Sequence, residues 1–400
     1  MGNGRRLRLA FLAGSLLLGA SEARAGGKIS IDDTKWISIG LGGRTSFSAV
    51  EDATPAGSGF SKDFNLDNAR IYISGQVHKY LKFELNTECA FCGNGSLQDF
   101  VLLDAIAKIE LTPWFNIWAG RLLVPAERQE MNGPFYSATY DAYKTPFYPA
   151  DFSVKFGSGG AGVYERSQGA TLWGAAGPKG AFQYALGVFD GLRSSSGSGP
   201  NQHDNPLFGT RLAYNFLNVE DNPGYYTSGT YYGGGGDIFT LGLAMQYQEE
   251  GSGSFKHPGD FFGVSGDLLF EKPMSGAGVF TFTGEYKHFE SNYSTAAFGD
   301  SDAFLMFDGD AFWLAGLYLV DQKVGIGKFQ PYVRYSDVLP DHSTDRSEIE
   351  VGLNYIVDGH NARMSLFYEY GDIATKGLNY APGAKGDDVS AVKLAIQLQI

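Results

Sequence analysis

The chain has 400 residues with 55 glycines, 14% aromatic residues and a formal net charge of −13 at pH 7. This acidic balance argues against nucleic acid as a partner, because a phosphate backbone binds basic surfaces. Beyond residue 25, no apolar run approaches the roughly 18 residues of a membrane-spanning helix, so we expect no helical span in the mature protein. A membrane protein with a mean hydropathy of −0.17 would need lipid-facing and water-facing residues in alternation.

Residues 1–25 have the features of an export signal. A basic start is followed by an apolar run over residues 9–20 and by a small-x-small sequence at residues 23–25. We therefore expect cleavage before Gly26, a periplasmic lead over residues 26–34, and delivery to an oxidising compartment.

The chain has two cysteines, Cys89 and Cys92, in the sequence ECAFCGNG. In an oxidising compartment a local disulfide is the simplest interpretation. A redox-active pair and two free thiols stay open, although no thioredoxin-like βαβ pattern surrounds them and a zinc site would need a second cysteine pair.

Alternation with a period of two predicts β-strands along the rest of the chain. In the clearest hairpin, Ile349, Val351 and Leu353 share one face, and Asp358-Gly359 supplies a tight turn. We place the strands near residues 35–47, 68–77, 81–86, 101–111, 115–123, 167–176, 181–189, 207–217, 237–248, 261–271, 278–290, 310–320, 328–338, 347–357, 361–371 and 389–400.

The connections alternate between short and long. Short turns at residues 177–180 and 321–327 contrast with long polar loops such as residues 124–166, and only residues 218–236 are long where a short turn is expected. That exception indicates either a periplasmic excursion or misplaced strands. A soluble all-β chain of this length would need several sandwich domains with linkers, and no such linker occurs. Residues 35–400 therefore predict a 16-stranded antiparallel transmembrane β-barrel, multi-pass in the outer membrane of a Gram-negative bacterium.

In such a barrel the polar face of each strand points into the lumen, so the alternation predicts which charges line it. Cations and anions are equally numerous, which leaves two interpretations: the charges set ion preference, or they pair across strands and keep the bore wet and rigid. The predicted inward cations are Arg44, Arg70, Lys82, Lys108, Arg211, Lys287, Arg334, Arg363 and Lys393, and the anions are Glu84, Asp104, Glu110, Asp267, Glu271, Glu285, Glu348, Glu350 and Glu369.

The longest connection, residues 124–166, is rich in proline, tyrosine and phenylalanine. A 16-stranded barrel leaves a wide aqueous channel, and exposed aromatics would be adhesive on an outer surface. We therefore expect this loop to fold inward and narrow the bore. Its charges include no basic cluster, and the candidate constriction residues are Glu127, Arg128, Glu130, Asp141, Lys144 and Asp151.

Several segments resemble the phosphate-selective porin O and P family of outer-membrane porins. They are Asn68-Ala69-Arg70, AGRLLVP over residues 119–125, YALGVFDG over residues 184–191 and GTRLAYNF over residues 209–216. The resemblance implies a 16-stranded porin, usually a trimer, with the third external loop as a constriction. Members usually end on an aromatic residue, whereas this chain ends on Ile400.

The remaining chemistry is sparse. The six histidines have no metal-ligand spacing, and no strand pair offers a catalytic Ser, His and acid. We therefore expect no enzyme activity, no cofactor and no metal.

These features favour an outer-membrane porin for passive diffusion of small hydrophilic solutes or ions, with membrane lipid as its surroundings and a homotrimer as its assembly. Anion or phosphate preference follows from the resemblance alone, and the aromatic loop would also suit small amides. The alternative function is a barrel that acts as a scaffold or sheath for a partner, such as an outer-membrane electron-transfer protein.

Overall fold

The computed structural model describes residues 27–90, 99–142, 144–146, 166–292, 294–373, 383 and 385–400. Within these residues, sixteen strands form one barrel. They are β1 (Trp36–Val50), β2 (Asp63–His78), β3 (Leu81–Ala90), β4 (Asp99–Thr112), β5 (Phe115–Leu123), β6 (Arg166–Ala176), β7 (Phe182–Phe189), β8 (Leu207–Asn215), β9 (Ile238–Gly253), β10 (Pro258–Met274), β11 (Gly278–Ser291), β12 (Gly309–Val320), β13 (Gly327–Pro340), β14 (Arg346–Asp358), β15 (Ala362–Gly371) and β16 (Val389–Gln399).

The strands form because their side chains alternate between two environments. In β9, Leu241, Leu243 and Met245 are exposed on the outer face, while Thr240 and Gln246 are buried on the inner face. An apolar outer band and a polar inner face are what a barrel in lipid requires.

The barrel is closed by pairing of its last strand with its first. All neighbouring strands are antiparallel, and β16 pairs with β1, where Leu394 faces Phe47. A four-residue strand, Gly27–Ser30, pairs with the start of β1 through Ile37 and Ser38. Closure leaves no strand edge unpaired, which is the condition for a sheet to cross a bilayer.

The prediction of a 16-stranded antiparallel barrel is confirmed, and each strand overlaps its predicted range. The predicted export signal, residues 1–25, lies outside the described residues. The described part of the chain has no helix with the length and apolar character of a membrane span.

Two connections enter the bore. Residues 124–142 of the third loop form one, including the short helix α1 (Arg128–Asn132), which is entirely buried. The other is residues 219–236, between β8 and β9, which we name the inner segment. It contacts the third loop inside the barrel, where Gly229 N–H donates to the carbonyl oxygen of Tyr136 at 2.9 Å.

The inner segment resolves the exception in the loop pattern. Its flanking strands lie where the sequence placed them, so misplaced strands are excluded. The connection is long because it folds back into the bore instead of extending into the periplasm.

The interior also contains an apolar cluster, which strand alternation alone did not predict. Phe261 of β10 and Phe289 of β11 point inward and pack with Phe304 and Phe307 of the following loop. Because loops occupy this end of the bore, its inward-facing apolar side chains contact protein rather than water.

Candidate functional site

The third loop crosses the bore and is held against the wall on several sides. Gln246 of β9 donates to the carbonyl oxygen of Pro125 at 3.1 Å, and Gln397 of β16 donates to that of Phe135 at 2.8 Å. The loop therefore spans between distant strands of the barrel.

Four arginines predicted to line the pore donate to the loop's backbone. They do so from β1, β8, β13 and β15, so the loop is bonded around much of the circumference. Arg211 donates to Ala126 O at 3.0 Å, Arg363 to Ser137 O at 2.8 Å, Arg334 to Ala142 O at 3.0 Å, and Arg44 to Tyr140 O.

These arginines lie on the inner face, but their guanidinium groups do not form an open charged ring. Arg334 and Arg363 are each 1% exposed. Loop carbonyl groups buried inside the bore are satisfied by no strand ladder, and leaving them unpaired where water is excluded would be costly. The fork of donors on arginine suits this arrangement, so these four arginines anchor the third loop.

Lys144 and Asp141 attach the same loop through charge to β14, β15 and β16, beside the strands that carry Arg334, Arg363 and Arg44. The ammonium of Lys144 lies 2.8 Å from Glu348 and also contacts Glu369, while Asp141 pairs with Lys393. Burial opposes the charge on Lys144, but the carboxylates of Glu369 and Glu348 outweigh it and raise its pKa well above the ordinary value. Burial likewise opposes the charge on Asp141, and Lys393 and Lys144 lower its pKa nonetheless.

Glu348, Glu350 and Glu369 have carboxylate oxygens within 4.8 Å of one another. Such a group of acids can hold a cation. Here the Lys144 ammonium lies beside two of them, so the side chain of the loop supplies that positive charge.

The start of the third loop is fixed by a second charge network. Lys287 of β11 pairs with Glu127 and lies 3.6 Å from Glu130. Asp267 of β10 accepts from Arg211 at 3.0 Å and lies 3.3 Å from the Nε atom of Arg128. Every one of these side chains is buried.

Arg128 also reaches the inner segment. Its guanidinium donates to both carboxylate oxygens of Glu220, at 2.7 and 2.8 Å. Burial alone would raise the pKa of Glu220, but the charge of Arg128 lowers it below the ordinary value. This bidentate pair is the strongest type of ion pair between the two connections.

A different arrangement lines the wall formed by β2 to β6. Here the charges pair along the wall rather than with the loops: Lys82 with Glu110, Lys108 with Glu84, Arg70 with Glu88, and Arg166 with Asp104 at 2.9 Å. We call these eight residues the paired ladder. Lys82 is 26% exposed and Glu110 21%, which is comparable with the 23% of Lys393 and of Asp141 on the loop-bound side.

Two predicted residues lie outside the described part of the chain, Asp151 of the loop and Cys92. Cys89 is buried at the end of β3 and is disulfide-bonded. The predicted pairing of Cys89 with Cys92 stays a prediction.

The structure also brings in residues that the sequence analysis did not single out. Glu88 continues the inward series of Lys82 and Glu84 on β3, so extending the alternation would have found it. Glu220 is different, because it belongs to a connection without periodicity and nothing near it in sequence indicates its partner.

Comparison with known proteins finds no matching family model and no matching curated protein. Among solved structures, the chain is similar to an anion-selective porin from Comamonas acidovorans, with 15% identity, a TM-score of 0.56, and coverage of 92% of this chain and 100% of that one. It is similar to the outer-membrane channel DcaP of Acinetobacter baumannii, at 12% identity and a TM-score of 0.54, over 94% of this chain and 100% of that one.

The fold is that of the outer-membrane porins. At these identities the likeness shows the fold alone, and membership of the phosphate-selective porin O and P family stays a prediction. A porin barrel crosses the outer membrane of Gram-negative bacteria, with its short turns in the periplasm and its long loops outside. The inner segment therefore enters the bore from the periplasmic end, and the third loop enters it from the external end.

Proposed function

We propose that this porin-fold chain is a passive diffusion channel for small hydrophilic solutes or ions, and not an enzyme. The observation that carries the proposal is the third loop, which is bonded by wall arginines to a fixed position across the bore. A barrel wall alone leaves a wide channel, whereas a loop held at many points gives a constriction of defined size. Conductance is then set by this loop.

Solutes pass beside two pairs of the paired ladder, Lys82 with Glu110 and Lys108 with Glu84, because these side chains retain exposure between 9% and 26%. Glu84 is 17% exposed there, compared with 1% for Arg334. Each cation of the ladder has an anion within ion-pair distance, so the passage has little net charge and ion selectivity is weak. Phosphate or anion preference would need an unpaired basic cluster, and the described part of the third loop contributes none.

The alternative, a scaffold or sheath around a partner protein, requires an empty bore. Occupation of the bore by the third loop and the inner segment disfavours it. In a sheath, the arginine contacts to the loop carbonyls would also have no function.

We further propose a homotrimer. One of the similar solved structures is described as the trimer form of OmpT of Vibrio cholerae, at 14% identity and a TM-score of 0.54. Chemical crosslinking in native membranes would then give a ladder that ends at three subunits.

Deleting Asn132 to Ala150 tests the function. The deletion removes the loop carbonyls that Arg44, Arg334 and Arg363 contact, so single-channel conductance in a planar bilayer should rise severalfold. Liposome swelling should then admit larger sugars.

A deletion of residues 53–59 in the exposed first external loop is the matched control, because that loop lies outside the bore. It should leave conductance unchanged. If removal of the third-loop residues also has no effect while the protein remains a folded barrel, the constriction lies elsewhere and the proposed role of this loop is wrong.

A further inference from the structure

The inner segment is longer than the strands it connects require. The ladder between β8 and β9 continues beyond the barrel wall, since Phe216 N–H donates to Phe239 O at 2.8 Å and Asn218 N–H donates to Asp237 O at 3.0 Å. A tight turn could close this hairpin at Asn218 and Asp237. Instead, residues 219–236 are inserted there and fold into the bore.

Inside the bore, the inner segment is bonded to the third loop. Thr227 donates its hydroxyl to Arg128 O at 2.7 Å, and Arg128 donates to Ser228 O at 2.9 Å in addition to its pair with Glu220. Gly229 approaches so closely that a Cβ atom there would lie 2.5 Å from the backbone nitrogen of Ala138. The inner segment, which enters from the periplasmic end, therefore contacts the third loop, which enters from the external end.

The wall holds the inner segment mainly through one carboxylate. Glu271 of β10, 0% exposed, accepts from the Thr230 hydroxyl at 2.6 Å, from Tyr231 N–H at 3.0 Å and from Gly233 N–H at 2.7 Å. On the other side, Tyr225 donates its hydroxyl to Leu123 O at 2.7 Å.

An aromatic contact completes the docking. Trp118 of β5 packs with Tyr225 and Tyr226 at ring-centroid distances of 5.4 Å, and with Trp173 at 5.2 Å. Gly224 lies on the Trp118 ring, where a Cβ atom would be 2.2 Å away. The inner segment is therefore closely packed against Trp118.

None of the barrel's strand-to-strand hydrogen bonds among the described residues passes through the inner segment. Most of its own contacts are hydrogen bonds to carbonyl and carboxylate groups, which water can replace. Residues 233–236 are four consecutive glycines, and Gly233 and Gly236 have φ angles of 85° and 71°. Such a run can absorb a large change in backbone angles, as a hinge does.

We propose that the inner segment is a gate that closes the channel from the periplasmic side and leaves the bore, by rotation about the glycine run, when the channel opens. This gate is separate from the third-loop constriction and goes beyond the proposed diffusion function. In the closed state, Tyr225 and Tyr226 of the inner segment pack on the Trp118 ring, over which the Lys108 ammonium of the paired ladder also lies. Opening breaks the Glu220 and Glu271 contacts and leaves the barrel ladder intact.

The decisive variant replaces residues 219–236 by Asn-Gly, which closes the β8–β9 hairpin at Asn218 and Asp237. Planar-bilayer recordings should show a channel that stays open, with a severalfold higher time-averaged conductance than the full chain. Unchanged conductance and unchanged closures in a folded barrel would overturn the gate.

A milder pair of variants tests the same idea in the full-length chain. Gly229→Ala places a methyl group against the third-loop backbone and should raise the open fraction severalfold. Gly299→Ala is the matched control, because a Cβ atom there would meet nothing within 4 Å and the residue lies in an external loop, away from the inner segment and the glycine run. If the excised chain does not fold, this pair decides: equal open fractions for the two variants overturn the gate.

The outcomes also separate the gate from the diffusion function. If excision has no effect but the third-loop deletion raises conductance, the gate is wrong and the porin function stands. If excision of the inner segment yields a folded barrel without current, the gate proposal is wrong. The third-loop deletion is then the remaining test of the channel function.

Discussion

At the scale of single residues, the inner face of this barrel has two kinds of charge. Arginines such as Arg334 and Arg363 are bonded to the third loop and are nearly inaccessible. The paired ladder, by contrast, has partners along the wall, and its pairs Lys82 with Glu110 and Lys108 with Glu84 retain partial exposure. Removing a charge from the ladder should therefore change ion preference, whereas removing a loop-bound arginine should first change the geometry of the constriction.

The first prediction concerns Lys82 and Glu110, the most accessible pair of the ladder. Lys82→Ala leaves the Glu110 carboxylate without its cation, so the reversal potential under a salt gradient should shift toward cation selectivity. Glu110→Gln should shift it toward anions for the opposite reason. Arg193→Ala, in an external loop with 61% exposure, is the control and should have no effect. Absence of a shift in both ladder variants would place this pair outside the ion path.

The ion pair between Arg128 and Glu220 joins the third loop to the inner segment. Both side chains are at most 2% exposed. Breaking a buried ion pair by removing one partner costs about 3–5 kcal/mol, because the other charge is left desolvated. Charge therefore contributes strongly to keeping the inner segment docked.

At the scale of elements, the docking of the inner segment depends on the turn between β14 and β15. The Nε2 atom of His360 lies 2.9 Å from Thr230 O and 3.1 Å from the Ser228 hydroxyl. Tyr232 and Tyr136 face the ring, and Arg363 is the nearby charge. Burial, followed by the charge of Arg363, lowers the pKa of His360 from 6.5 to about 3.

This arrangement predicts that acid opens the gate. When the inner segment leaves, His360 meets water and its pKa returns toward 6.5, so the released state binds the extra proton. Docking is therefore favoured fully above pH 6.5 and weakens as pH falls toward 3, by at most about tenfold per pH unit for one proton. Acidifying the periplasmic side from pH 7 to pH 5 should raise the open fraction in bilayer recordings.

His360→Asn removes the titrating group and should flatten this response above pH 5. His342→Asn is the matched control, since His342 pairs with Asp308 at 3.3 Å in the external loops, at the end of the barrel opposite to the β14–β15 turn that carries His360. A pH response that survives in His360→Asn would assign the effect to another group. Glu220, whose pKa is lowered by Arg128 against the effect of burial, acts in the same direction only at still lower pH.

At the scale of the whole molecule, stability comes from a continuous ring of hydrogen-bonded strands. Because each strand of the closed barrel is paired on both sides, detergent cannot open the sheet from a free edge. The unheated protein should therefore migrate differently from the boiled protein on a denaturing gel, with strand-type circular dichroism before boiling.

Proline variants of β16 test whether ring closure causes this resistance. Leu394→Pro removes a ladder hydrogen bond in the middle of a strand paired on both sides, so the heat-dependent shift should be lost. Val389→Pro changes the first residue of the same strand, where proline is tolerated, and should keep the shift. Equal behaviour of the two variants would show that closure through β16 is not what resists the detergent.

Much of the barrel could be predicted from the sequence because a strand is a local object. The side chains of β9 and β14 alternate every two residues, and that period assigns both the strand and its lipid-facing side without knowledge of any partner. The same rule placed Arg44, Lys82 and Glu369 on the inner face, where the structure has them.

The contents of the bore could not be predicted in this way. Residues of the third loop and the inner segment have no period, and their polar groups could be satisfied equally well by water outside the barrel or by wall residues inside it. Arg128 and Glu220 are far apart in the chain, and Glu271 has three donors from a connection that begins and ends at other strands. Sequence alone determined the wall, because strand alternation is set by neighbouring residues. Only the tertiary structure decided how the bore is filled, because that depends on contacts between residues that meet only after the barrel closes.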